Sequence, residues 1–130
     1  MKVKRGSDIG PKRGLREFGA HRKAIELFDL MVADIAPLAS RYELGKLVAQ
    51  QLASADSVAA NIEEGFGRGS KKDYAHFLVM ARGSAQETLG RSQRLAHWLE
   101  PSVVAKHEAL CEEIIAILTA TIRTLRAAVP

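Results

Sequence analysis

The sequence predicts an all-α fold: an antiparallel up-and-down four-helix bundle behind a basic, flexible N-terminal tail. Three observations lead there. Good helix formers dominate after the first residues. Apolar residues recur at three- and four-residue steps over four long segments, with no strand-like alternation. The connections between these segments are too short to return the chain to its starting end. At 130 residues, 47% of them hydrophobic, the chain is the size of one domain with one continuous core. The expected division is 1–17 for the tail and 18–130 for the bundle.

The first segment runs from about Ala20 to Ser40 and carries Ala24, Leu27, Phe28, Met31, Ile35 and Leu38 on one stripe. Pro37 lacks a backbone donor and should end its regular part near Ala36. The second, from about Leu44 to Gly65, has an apolar stripe through Val48, Ala55, Val58 and Ile62, with Gln51 or Leu52 between. A second stripe of mostly short polar residues, Ser54, Ser57, Asn61 and Glu64, suits close approach of a neighbouring helix. The third opens at Ser70, an N-cap with Asp73 in the manner of a capping box. It is expected to run to about Leu99, roughly 43 Å at the helical rise, with Pro101 as its stop. The fourth starts near Ser102 and places Val103, Leu110, Ile114, Leu118 and Ile122 on the core face.

The formal net charge of +4 is unevenly distributed. Residues 1–23 hold eight Lys/Arg against Asp8 and Glu17, a balance of +6, so the remainder, with eleven basic and thirteen acidic side chains, sums to −2. Gly6, Gly10, Pro11 and Gly14 break helical periodicity in the basic stretch. Lys2, Lys4, Arg5, Lys12, Arg13 and Arg16 therefore read as a basic arm able to contact nucleic-acid phosphates. A solubilising or cloning-derived terminus is the plain alternative. No apolar run approaches the roughly 18 to 20 residues a membrane span needs, and the charged start lacks a secretory apolar segment. A cytoplasmic location and no membrane partner are expected. The single cysteine, Cys111, reads as a small core residue.

The sequence holds no site of chemistry that its spacing supports. The stretch NIEEGFGRGSKKDY, Asn61 to Tyr74, has the glycines of a phosphate loop. A P-loop, however, needs its second glycine where Ser70 stands, and the dinucleotide fingerprint needs its third there; both also follow a strand rather than a helix. No nucleotide cofactor is expected, and Gly65 and Gly67 read instead as left-handed helix-ending residues. A di-iron bundle needs two Glu-x-x-His pairs, and Asp73 with His76 is the nearest match. No metal is expected, and His76, His97 and His107 read as surface or boundary residues. Ser54, Ser57, Ser84 and Ser92 have no histidine at helical spacing, so no catalytic residue is assigned and the chain reads as not an enzyme. The polar residues that carry weight are Asn61, Glu64, Ser84 and Glu87, with Arg68 and Arg82 as available partners. Because an unpaired buried polar group costs about 1–3 kcal/mol, these should form a hydrogen-bonded set between helices or between subunits. Simple exposure to water is the other reading.

The run SVAANIEEGFGRGSKKDYAHFLVMARGSAQET, Ser57 to Thr88, closely resembles the signature of the bacterial four-helix bundle proteins encoded in 23S rRNA intervening sequences. The matching positions are Asn61, Ile62, Glu64, Gly65, Gly67, Arg68, Ser70, Phe77, Leu78, Ala81, Gly83, Ser84 and Glu87, and the resemblance extends over about residues 18–126. Glu63, where the family usually has alanine, and Pro37 depart from it. The resemblance implies an up-and-down bundle that assembles as a ring, typically a homopentamer, without catalytic activity. Related accessory proteins of diversity-generating retroelements form basic pentameric barrels that bind nucleic acid and a reverse transcriptase. The expectation is a non-catalytic ring scaffold for RNA or DNA. Its rivals are a module docking a partner protein such as a polymerase or reverse transcriptase without touching nucleic acid, and, more remotely, an enzyme acting at the polar set.

Overall fold

The computed structural model describes residues 14, 15 and 18–129. Four helices make up the bundle: α1 (Gly19–Asp34), α2 (Gly45–Phe66), α3 (Lys71–Arg94) and α4 (Pro101–Ala127). Each packs on the next and α4 closes back on α1, giving an antiparallel square with no strand among the described residues. The core joins Leu27, Met31 and Ile35 of the first leg to Val58 and Ile62 of α2, Leu78 and Ala85 of α3, and Ile114 and Leu118 of α4. The proximal end of the bundle gathers the start of α1, the α2–α3 turn and the end of α4. The distal end holds the other two connections.

Those distal connections are short 3₁₀ pieces. The regular part of α1 stops at Asp34, and Ala36–Ser40 follows as a 3₁₀ turn with Pro37 near its start, as a residue without a donor requires. Leu38 N–H donates back to Ile35 O at 2.9 Å. A second 3₁₀ turn, Tyr42–Leu44, leads into α2. The third helix is shorter than its periodicity suggests: its α-part ends at Arg94, about 36 Å long at the helical rise, and Leu95–Trp98 continues as 3₁₀. Pro101 is not the stop. It is the first residue of α4, where a missing N–H costs nothing, and extended Leu99 and Glu100 make the corner.

The α2–α3 turn has a different physical basis from the one its glycines suggest. Gly67 is right-handed, with φ −77°, and none of the three glycines adopts a positive φ. Gly65 lies inside α2, and its need is space: a Cβ there would come within 2.7 Å of Phe77 Cβ and 3.0 Å of Tyr74 Cδ1. The glycine lets α3 cross the end of α2 at close range. Phe66 and Tyr74 meet edge to face, with centroids 6.1 Å apart, and the Arg68 guanidinium lies 4.9 Å from the centroid of the Phe77 ring. Ser70 Oγ accepts from Asp73 N–H at 3.1 Å, the expected cap.

Candidate functional site

The most elaborate polar structure lies inside the bundle. Gln51, Ser54, Thr88, Arg91, Ser92 and His107 are buried polar residues, and each has turned inward because it falls on its helix's core stripe. Arg91 Nη1 donates to Gln51 Oε1 at 2.9 Å and to Ser54 Oγ at 3.1 Å. Arginine only donates, so the Gln51 carbonyl must face it and the amide nitrogen must point away. That nitrogen donates to Thr88 O and to Ser92 Oγ, both at 2.9 Å. Ser92 is then free to donate its own proton to His107 Nδ1, 3.2 Å away. His107 Nε2 completes the series by donating to Asp34 Oδ2 at 2.9 Å. One direction of donation thus runs from α3 through α2, back to α3 and across α4 to the end of α1.

This arrangement contains a serine, a histidine and a carboxylate in hydrogen-bond sequence, the constellation that activates a nucleophile in hydrolases. Its surroundings do not suit that chemistry. Ser92 and His107 are both 0% exposed, and the serine oxygen already accepts from Gln51. A substrate carbonyl has no route to Ser92 in this packing. What the chain of bonds does is satisfy polar groups that would each cost about 1–3 kcal/mol if buried unpaired. It also ties four helices in one register.

His107 corrects the expectation that it is a surface or boundary residue; His76 and His97 are exposed. The serine–histidine contact joins residues 15 apart in sequence, so no spacing within one helix could reveal it. A signal did exist: Val104, His107, Cys111, Ile114 and Leu118 share one core stripe, and a histidine there needs partners. Gln51 likewise interrupts an apolar stripe.

The polar set singled out from the sequence divides into three local groups of contacts within the chain. Asn61 Nδ2 donates to Ser57 Oγ at 2.9 Å, and the Ser57 and Ser84 hydroxyls share a hydrogen bond at 2.8 Å that joins α2 to α3. Glu87 accepts from Arg91 Nη2 at 2.8 Å one helical turn on. Glu64 pairs with Arg68 at 3.2 Å at the exposed end of α2. Arg82 turns to Thr119 of α4 instead, at 3.3 Å. The arm residues Lys2, Lys4, Arg5, Lys12, Arg13 and Arg16 lie outside the described residues. The proximal end that the arm joins is itself rich in cations. Arg22 and Lys23 start α1, Arg68, Lys71 and Lys72 mark the α2–α3 turn, and Arg123 and Arg126 close α4. Two of these cations are already paired, Arg68 with Glu64 and Lys23 with Glu113, and Glu63 is held by His21 at 2.8 Å.

Among the described residues no group of three His, Cys, Asp or Glu side chains is placed to hold a metal ion, and no helix is long and apolar enough to cross a membrane. Cys111 is fully buried and its thiol is pushed up to about 12 by that burial, with Glu112 adding to the shift.

Fold and interior together define an all-helical bundle whose interior polar groups hold its helices in register. The profile of the 23S rRNA-intervening sequence proteins matches residues 16–120, and the chain belongs to that family. Its fold is similar to the crystal structure of a protein of unknown function from the S23 ribosomal protein family of Bacteroides thetaiotaomicron. That similarity has a TM-score of 0.75 at 23% sequence identity, covering 80% of this chain and 98% of the other. A search of curated proteins gave no significant match.

Proposed function

We propose that the protein is a non-catalytic cytoplasmic scaffold, a homo-oligomeric ring, a pentamer, that holds RNA or DNA on the face where its basic arms emerge. The observation carrying this reading is the concentration of exposed cations, Lys71, Lys72, Arg123 and Arg126 among them, at the end of the bundle that the arm joins. Neutralised phosphates release counterions, so several weak arms on one ring would give salt-sensitive, multivalent binding. The outer faces of α2 and α3 support self-association: Ala53, Ala60 and Gly83 are exposed there, and a Cβ on Gly83 would meet nothing within 4 Å. Asn61, Glu64, Ser84 and Glu87 flank that surface. The non-catalytic reading is supported by the complete burial of Ser92 and His107.

The test combines light scattering at micromolar concentration with gel shifts on structured RNA across a salt series. The expected result is one oligomer that binds at low salt and weakens steeply as salt rises, with removal of residues 1–17 or a Lys71→Glu/Lys72→Glu double substitution weakening it further. A stable monomer, or no shift at low salt, would overturn the reading. A second reading, the docking of a partner protein without nucleic-acid contact, is favoured by the exposed apolar side chains Val32 and Met80 and by Tyr42, which is 98% exposed.

A further inference from the structure

The distal end of the bundle carries an open, shallow cleft of about 630 Å³ between the end of α1 and the α3–α4 corner. Asp34, Leu38, Arg41, Trp98, Glu100 and Val103 are among the residues lining it. We propose that this cleft binds an organic cation, an alkyl-ammonium or alkyl-guanidinium group, with Asp34 as its principal counter-ion.

Three features of the cleft carry the assignment. Asp34 is a held carboxylate: its Oδ2 accepts from His107 Nε2, and His107 is 0% exposed, so the acid is aimed by the interior of the protein while its side chain stays 24% exposed. A carboxylate has about four acceptor positions, so one internal bond leaves capacity for the N–H donors of a ligand. Trp98 is 36% exposed, with His97 edge-on to it at 5.5 Å, and an indole face is the best aromatic partner for a cation. Leu38 and Val103 supply an apolar wall for an aliphatic stem. The charged side chains of the lining favour a cation: the carboxylates of Asp34 and Glu100 stand against the guanidinium of Arg41, with His97 beside them, a balance that suits a cation better than a phosphate. A metal ion is disfavoured because no third ligating side chain joins the two carboxylates. The cleft lies at the end of the molecule opposite the cationic face proposed for nucleic acid and is independent of it.

Trp98 is the sole tryptophan of the chain, so its fluorescence reports this cleft directly. The full-length protein would be titrated at constant ionic strength with agmatine, spermidine and N-acetyl-arginine amide, and in parallel with inorganic phosphate and AMP. The expected result is a saturable change in Trp98 emission with the cations alone. Asp34→Asn should weaken it at least tenfold, and Arg41→Ala should leave it equal or tighten it. The His107 imidazole NMR signals should shift on saturation, a response that a ligand resting only on the rim would not produce. Glu100→Gln, remote from the buried network, should weaken binding severalfold and serves if Asp34→Asn unfolds the protein. Tighter binding of the free amines would assign the site to a small metabolite, and tighter binding of the arginine amide to a partner's side chain. The proposal is overturned if no cation gives saturation at millimolar concentration. It is equally overturned if phosphate or AMP saturates the signal and Arg41→Ala abolishes that, or if neither carboxylate substitution affects cation binding.

Discussion

At the scale of single residues, two glycines separate space from propensity. Gly65→Ala gains helix propensity of up to about 1 kcal/mol, yet its new methyl must displace Phe77 and Tyr74, whose atoms stand 2.7 and 3.0 Å from it. Overpacking of this kind costs about 1–3 kcal/mol, so urea denaturation should show a net loss. Gly83→Ala meets no neighbour within 4 Å and should stabilise the monomer fold by about 0.5–1 kcal/mol. If that face is the contact between subunits, the same substitution should also weaken the oligomer, which light scattering would show. His107→Leu removes a donor from Asp34 and an acceptor from Ser92. Its expected cost is about 1–3 kcal/mol for each group left buried and unpaired, and adding Ser92→Ala should recover part of it. Cys111 sets an alkaline limit. Its thiol is raised from 9.0 to about 12 in the fold, so the native state favours the protonated form. That contribution is complete below about pH 9 and is lost as pH climbs towards 12. Cys111→Ala should flatten this part of the pH–stability profile, and native Cys111 should resist thiol reagents at neutral pH.

At the scale of elements, the helices end for reasons of unequal legibility. The start of α3 was readable from two residues, because Ser70 and Asp73 at that spacing have one use; Ser70→Ala should cost about 1 kcal/mol in thermal or urea melts. The end of α3 was not readable. The apolar pattern continues through Leu95, which is fully buried, and a 3₁₀ turn presents nearly the same periodicity as an α-helix over four residues. The α2–α3 glycines were legible as a joint, but not the reason for them. A glycine kept for its conformation and one kept for want of room look alike until the crossing helix is in place.

For the whole molecule, the bundle follows from the four apolar stripes and short joints, which leave few other topologies. The interior network does not follow from them. Arg91 is 6% exposed, and only the assembled neighbours Gln51, Ser54 and Glu87 explain why burial of a cation is tolerated there. Its Nε finds no hydrogen-bond partner among the described residues. Arg91→Met should therefore cost less than Arg91→Ala, since it keeps the stem's packing, and a double-mutant cycle with Gln51→Leu should return a coupling of about 0.5–3 kcal/mol in denaturation experiments.

The one-way order of donors from Arg91 to Asp34 also constrains how such a chain can diverge over generations. Each member accepts on one side only because its predecessor donates, so a lone replacement leaves a mismatch on both sides of the gap. Drift through single steps is penalised throughout the series, while coordinated exchange of adjoining members for apolar ones of similar volume is open. Descendants of this protein should keep the series whole or lose neighbouring members together, and hybrids that join α1 and α4 of one lineage to α2 and α3 of another should fold less stably than either parent.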